Sequence, residues 1–315
     1  MKLLTPILLA LIAFPAAAQN AQVTMVPGKD GKSVDIKIGD KPFAVYRMNK
    51  MGALPKPFLL PVRSADGTVL TRALKDPEDH PHHKGVWVSV DKVNDVDFWA
   101  EKGKILTTGA HSNLVTVGGK RMPQLRVMNS WQSLEGKPII DEETSIVVFP
   151  NRLVTYDITF VANHGPVEFG DTKEGLFGFR MVNSLREKET GKVVNADGKK
   201  GTGKCWGQTS AWVDYYGKVN DNTYGIALFD HPKNMRKSRY HVRNYGLFSI
   251  SPFGDAAYTK GKEEPKHVKL AAGEKLRLRY AMYIHDGDTA AGKVADVYQQ
   301  YVKAAADDGQ ASRDK

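Results

Sequence analysis

Val154-Thr155-Tyr156-Asp157-Ile158-Thr159-Phe160 alternates apolar and polar side chains without a break, the period of a strand with one face in a core and the other in water. The pattern continues on both sides of it. Val34, Ile36 and Ile38 oppose Ser33, Asp35 and Lys37, and Leu276, Leu278, Tyr280, Met282 and Ile284 oppose Arg277, Arg279 and Tyr283. Turn formers such as Asp30-Gly31-Lys32, Ala65-Asp66-Gly67 and Ala196-Asp197-Gly198 punctuate the runs. Many short strands joined by such turns predict an all-β, antiparallel β-sandwich.

One segment breaks the period of two. After Asp286-Gly287-Asp288, the residues Val294, Val297, Tyr298, Tyr301, Val302 and Ala305 recur at helical spacing, which predicts a C-terminal amphipathic helix laid on the sheet. Asp288 or Thr289 is placed to cap it. No linker divides the chain. The expected organisation is a signal peptide over 1–18, one sandwich domain with its helix over 19–306, and a disordered tail over 307–315. Two short echoes, Asp79-His80-Pro81 with Asp230-His231-Pro232 and Gly175-Leu176-Phe177 with Gly246-Leu247-Phe248, would mark matching loops on two related sheets.

The first residues combine Lys2, a short apolar run from Leu3 to Phe14, and small residues at Ala16 and Ala18. This is the pattern of a cleavable export signal, cut after Ala18, and it predicts a periplasmic or secreted protein. No later segment is apolar for the ~18 residues that a membrane helix needs, so stable membrane insertion is not expected. The lone Cys205 forbids an internal disulfide and reads as a buried thiol. The net charge of +10 is spread along the chain without a nucleic-acid motif. Export and charge together direct attention to anionic glycans or envelope surfaces rather than nucleic acid. Nothing in the sequence defines an oligomeric state.

The densest chemistry lies in Asp76-Pro77-Glu78-Asp79-His80-Pro81-His82-His83-Lys84-Gly85-Val86-Trp87. The two prolines make it a stiff loop leading into a strand. Three readings compete. His82 and His83 can act as acid or base with a neighbouring carboxylate. His80 and His82, on one side of an extended stretch, can form a metal-ligand pair, so a divalent metal stays open although no cofactor is predicted. Or the imidazoles only shape the turn.

A second segment, Asp171 to Met181, places Lys173, Glu174 and Arg180 around Gly175 and Gly178, where the backbone can come close to another group. Glu174 beside cations stays ionised and can serve as a base. A third, Phe229 to Phe248, holds Asp230, His231, Asn234, His241 and Arg243, a donor and acceptor mix suited to hydroxyl-rich ligands. Trp87, Trp99, Trp206, Trp212, Tyr215 and Tyr216 stand near these loops. One or two of the tryptophans are expected to stack on a sugar ring and the rest to fill the core.

The string His80-Pro81-His82-His83-Lys84-Gly85-Val86-Trp87, together with Asn94-Asp95-Val96-Asp97-Phe98-Trp99 and the stretch from Tyr245-Gly246-Leu247-Phe248 to Pro252-Phe253-Gly254, resembles a family of secreted bacterial proteins labelled PmoA-like, or methane oxygenase-like. The resemblance covers about residues 40 to 285, with Lys84 where Arg is expected as often. It implies an all-β fold similar to the supersandwich of aldose mutarotases and several polysaccharide lyases, and a setting among carbohydrate-degrading functions. The local motifs of mutarotases are absent, so no catalytic residue is carried over from them.

The sequence therefore leads to an exported carbohydrate-active hydrolase, lyase or epimerase acting on a glycan or modified sugar. Catalytic candidates are His82, His83, Glu174, Asp230 and His231. Candidates for substrate contact are Lys84, Trp87, Lys173, Arg180, Asn234, His241 and Arg243. The alternatives are a non-catalytic glycan-binding protein and a metal-dependent oxidoreductase using His80 and His82.

Overall fold

The computed structural model describes residues 21–50, 52, 54–75 and 79–307. In it the alternation resolves into two eight-stranded antiparallel sheets packed on a shared core. The first sheet runs in the order β1 (Val23–Pro27), β2 (Ser33–Ile38), β3 (Lys41–Arg47), β4 (Phe58–Val62), β5 (Val86–Val88), β11 (Phe177–Arg180), β16 (Leu247–Ser251) and β15 (Arg239–Val242). The second runs β12 (Lys192–Asn195), β13 (Trp212–Val219), β14 (Asn222–Asp230), β18 (Lys275–Asp286), β9 (Leu153–Val161), β8 (Pro138–Val148), β7 (Lys120–Ser133) and β6 (Gly103–Val117). A small ribbon of β10 (Val167–Phe169) and β17 (Val268–Leu270) stands apart. The expected signal peptide, the tail beyond Asp307, and Asp76 and Glu78 of the histidine loop lie outside the described residues.

The period of two explains the layering. Val154, Tyr156, Ile158 and Phe160 of β9 are buried, as are Val34, Ile36 and Ile38 of β2, and all join the core between the sheets. On β18 the inward set from Leu276 to Ile284 is buried as expected, but Tyr283 and Ala281 on its other face are buried too. Helix α3 (Val294–Asp307) covers that face, and its Val294, Val297 and Tyr301 pack there against Leu153, Phe229 and Tyr283. Two shorter helices precede it, α1 (Thr202–Cys205) and α2 (Asp255–Thr259).

The capping expectation needs correction. Asp288 Oδ1 accepts the amides of Ala290 and Ala291, so it caps the turn before α3, while Thr289 donates its hydroxyl to Asp214. The Gly-Leu-Phe echo is corrected as well: both copies lie in one sheet on paired neighbouring strands, with Phe177 opposite Ile250 and Arg180 opposite Leu247. Among the described residues no helix is long and apolar enough to cross a membrane.

Candidate functional site on the outer face of the first sheet

Side chains alternate across a strand, so residues paired in register share a face. Trp87 on β5 lies opposite Gly178 on β11, Gly178 opposite Ser249 on β16, and Ser249 opposite His241 on β15. These four form a row on the face turned away from the inter-sheet core, with Arg180 two residues beyond Gly178. The glycine is a steric requirement: a Cβ at Gly178 would sit 2.7 Å from the Trp87 indole. The close approach expected at Gly178 is therefore to an indole of the fold. Gly85, at φ +56°, lets β5 pass Leu59, whose carbonyl oxygen a Cβ would meet at 2.0 Å.

The loop before β5 is held by guanidinium groups. Buried Arg72 donates Nη1 to Asp79 Oδ1 at 2.7 Å and to the Asp79 carbonyl at 2.9 Å, and Nη2 to the His80 carbonyl at 2.9 Å. Arg180, 1% exposed, donates Nη2 to the same Asp79 Oδ1 at 2.5 Å. Its Nη1 lies 3.4 Å from His83 Nδ1. A guanidinium only donates, so His83 Nδ1 accepts and the neutral ring carries its proton on Nε2. That Nε2 is buried without a hydrogen-bond partner among the described residues.

An aromatic stack fixes the imidazoles. His83 lies against Trp87 (5.4 Å between ring centres) and His80 (4.8 Å), with Trp99 and His82 edge-on. The other neighbour of His80 is Tyr245, parallel at 4.8 Å. Arg180 and Arg243 bring their guanidinium carbons to 5.1 Å and 5.6 Å from the Tyr245 ring, within cation–π range.

Among the described residues charge here is unbalanced. Lys56 and Lys84 share Glu101 Oε1, at 3.4 Å and 2.5 Å, and Arg72 and Arg180 share Asp79 Oδ1. Burial pushes the Lys56 ammonium down to about 7, with Lys84 adding to the fall and Glu101 opposing it. Burial and then the Lys56 charge lower His82 to about 4. For His83, burial, His82 and Arg180 drive the imidazole far below its ordinary range. Burial also raises the Asp79 carboxyl, but Arg180, Arg72 and His80 together bring it below its usual value. At neutral pH His82 and His83 are therefore neutral, the protonation state of bases.

The Asp171 to Met181 segment reaches this face from the other side. Glu174 pairs with Lys173 at 2.9 Å and approaches His241 Nδ1 at 3.6 Å, and that nitrogen also faces the Lys173 carbonyl at 3.0 Å. Burial lowers His241 to about 4 against the pull of Glu174. Trp206 stands edge-on to His241. His82, His83, Lys84, Trp87, Arg180 and Arg243 thus gather at one end of the face, and Lys173, Glu174 and His241 at the other. Tyr245 lies between them, within the electrostatic reach of Glu174, Arg180 and Arg243.

Asp230, His231 and Asn234 do not join them, which corrects the sequence expectation for all three. Asp230 accepts from Asn234 Nδ2 (2.8 Å), the Ser238 amide (2.7 Å) and the Ser238 hydroxyl (3.1 Å), and so closes the loop after β14 on itself. Burial raises its carboxyl to about 6. Asn234 also exchanges hydrogen bonds with the Arg279 backbone, and His231 packs edge-on to Tyr301 of α3. These groups serve the second sheet and its helix. The geometric premise of a His80/His82 pair is corrected too: His80 has φ +44° in a bent loop, and the two rings meet edge to face at 5.8 Å. Among the described residues no group of three or more His, Cys, Asp or Glu side chains is placed to hold a metal ion.

Sequence reasoning missed Lys56, Arg72, Glu101 and Tyr245 as site members. Lys56 carries a local hint in its flanking Pro55 and Pro57, and Tyr245 lies in a stretch that carries the resemblance. Arg72 and Glu101 carry none. Cys205 is buried, with its thiol pushed up to about 11 by burial.

A family model matches residues 33–299 of the chain. The chain belongs to this family, DUF6807, a family of unknown function. That description carries no oxygenase label, so the match leaves the PmoA-like label unsupported. No curated protein matches the DUF6807 chain. Among solved structures, it is similar to galactose 1-epimerase from Lactobacillus acidophilus NCFM, at 9% identity and a TM-score of 0.44, over 85% of this chain and 100% of that one. A putative aldose 1-epimerase from Klebsiella pneumoniae subsp. pneumoniae MGH 78578 gives 11% and 0.41, over 90% and 87%. The GH36 alpha-galactosidase AgaA from Geobacillus stearothermophilus gives 10% and 0.46, over 86% of this chain and 42% of that one. At such identities and scores none of these likenesses bears on chemistry.

Proposed function

We propose that the protein is an exported, periplasmic or secreted, carbohydrate-active enzyme whose site is the outer face of the first sheet. Its chemistry is proton transfer to or from a sugar, as hydrolysis, β-elimination or epimerisation all require. His82 is the group that exchanges the proton, His83 sets its surroundings, and Glu174 is the complementary carboxylate. Lys84, Arg180 and Arg243 hold ligand oxygens, and Tyr245 and Trp87 supply flat apolar surface.

The observation that carries the reading is the concentration of unanswered polar atoms on this face. His83 Nε2, Arg180 Nε, Trp87 Nε1, Ser89 Oγ, Ser249 Oγ and Trp206 Nε1 are buried and lack hydrogen-bond partners among the described residues. Each such group costs about 1–3 kcal/mol, and a hydroxyl-rich ligand or ordered water answers such groups. Half-exposed His80, His82 and Tyr245 form the rim above them. The test is a glycan panel with the mature protein and its His82→Ala and Glu174→Gln variants. The reading expects a product with the wild type that both substitutions suppress. A product that survives both removes it, and glycan affinity without any product turns it into a binding protein.

A further inference from the structure

We propose that this face binds an anionic group, a carboxylate or a sulfate ester, so that the sugar it takes is an acidic one. The sugar part rests on the function proposed above, whereas the anion part stands on the geometry alone.

Two cations share one carboxylate oxygen twice over. Lys84 and Lys56, whose ammonium burial lowers to about 7 and leaves partly charged at neutral pH, meet at Glu101 Oε1, and Arg72 and Arg180 meet at Asp79 Oδ1. Lys56 and Arg180 are each 1% exposed and Arg72 5%, so water screens little of the excess. Asp97 lies farther off, with Oδ1 occupied by the Ala100 amide. Toward the rim, Lys173 balances Glu174 and Arg243 adds another cation.

Two of the unpartnered atoms beside this excess are of the matching kind. Among the described residues Arg180 Nε is an N–H donor with no acceptor, and His83 Nε2 is one by the tautomer that Arg180 imposes. Buried donors beside cations that outnumber the carboxylates among the described residues call for an acceptor with negative charge. Two larger concave surfaces lie elsewhere and lack histidine in their lining. A cleft of about 950 Å³ beside Trp212, Tyr216 and α3, and a trough of about 990 Å³ along Arg126, Asp157 and Arg277, include none of these residues. On the trough Arg126 pairs with Glu143 while Arg277 and Arg279 share Asp157, but Arg126 and Arg277 are 46% and 51% exposed, so water screens their charge as it does not screen Arg180.

A bound anion would also change the proton chemistry. His82 is held near 4 partly by Lys56 and Lys84. Neutralising that field raises its proton affinity, so more of the ring is imidazolium, the form that can give up a proton as an acid. The ligand would thus supply part of its own catalytic apparatus.

The experiment titrates the mature protein with D-glucuronate, sodium sulfate and D-glucose while following the imidazole NMR signals of His82 and His83, assigned with single His→Ala variants. Both anions are expected to shift these signals and to raise the His82 titration midpoint, with glucose at equal concentration leaving them in place. Lys84→Met should weaken the effect roughly tenfold, and Glu101→Gln, which deepens the positive excess, should strengthen it. A response to only one anion supports the site and names its headgroup. The proposal is overturned if neither anion acts, if glucose acts equally, or if Glu101→Gln weakens binding in a folded protein. Processing of neutral glycans with no anion response would sink this inference alone, and anion binding with no glycan processed would sink only the proposed enzyme.

Discussion

Two buried histidine groups on opposite outer faces of the sandwich solve the same problem in opposite ways. On the second sheet, His285 Nε2 faces Asp214 Oδ1 at 3.0 Å, its Nδ1 faces the Asp286 carbonyl at 3.3 Å, and the other Asp214 oxygen accepts the Thr289 hydroxyl at 2.5 Å. Burial works against a charge on His285, but Asp214 outweighs it, so its proton affinity is raised. On the first sheet, His82 and His83 face cations and their proton affinity falls. One group is complete: acceptors answer both imidazole nitrogens, and it ties β13 and β18 to the turn before α3. The other leaves donors open. A completed network is what a fold needs to hold itself, and an incomplete one at a half-exposed rim is what a ligand needs.

The sharpest way to break this contrast is to remove one member of each group. His82→Ala should lower glycan processing by about 10²–10⁴-fold while changing stability by about 1 kcal/mol or less, read by turnover and by denaturant unfolding. Asp214→Asn should do the reverse. Removing one partner of a buried pair costs about 3–5 kcal/mol, seen as a lower unfolding midpoint with turnover per folded molecule unchanged. If His82→Ala destabilises as much as Asp214→Asn, the first group is structural and the contrast fails.

Smaller effects sharpen the picture. Gly178→Ala pushes a methyl group against the Trp87 indole and should cost about 1–3 kcal/mol, visible as a shift in midpoint and in tryptophan fluorescence. Tyr245→Ala removes the ring that His80 and two guanidinium groups lean on, a loss of about 0.5–1.5 kcal/mol, with the His80 signals moving in NMR.

The pH dependences run in opposite directions. His285 gains proton affinity on folding, so its stabilisation is full below its ordinary value of 6.5 and fades as pH rises through the raised folded value. The gap between wild type and His285→Ala should therefore be widest in acid. His82 loses proton affinity on folding, so its contribution is present above 6.5 and is lost as pH falls toward about 4. Unfolding curves of both variants across this window check the signs.

The strands and the helix were legible because burial imposes a period of two on a strand and about 3.6 on a helix. Part of the site was legible because imidazoles, prolines and tryptophans cluster within one short loop. Even so, His80, His82 and His83 looked like an extended string, and only the left-handed turn at His80 shows how the rings stack. Asp230-His231-Pro232 repeated the local chemistry of Asp79-His80-Pro81, yet its carboxylate is closed off by Asn234 and Ser238.

By itself the sequence determined the all-β sandwich, the C-terminal amphipathic helix and the loops that carry titratable groups, since each follows from neighbours along the chain. Tertiary structure alone decided which carboxylate meets which cation. Lys56 and Lys84 converge on Glu101, and Arg180 reaches Asp79 from 101 residues away to join Arg72 there. Strand pairing in register brings such groups together, and register depends on the whole sheet. The charge and protonation of the site are therefore properties of the fold rather than of any motif.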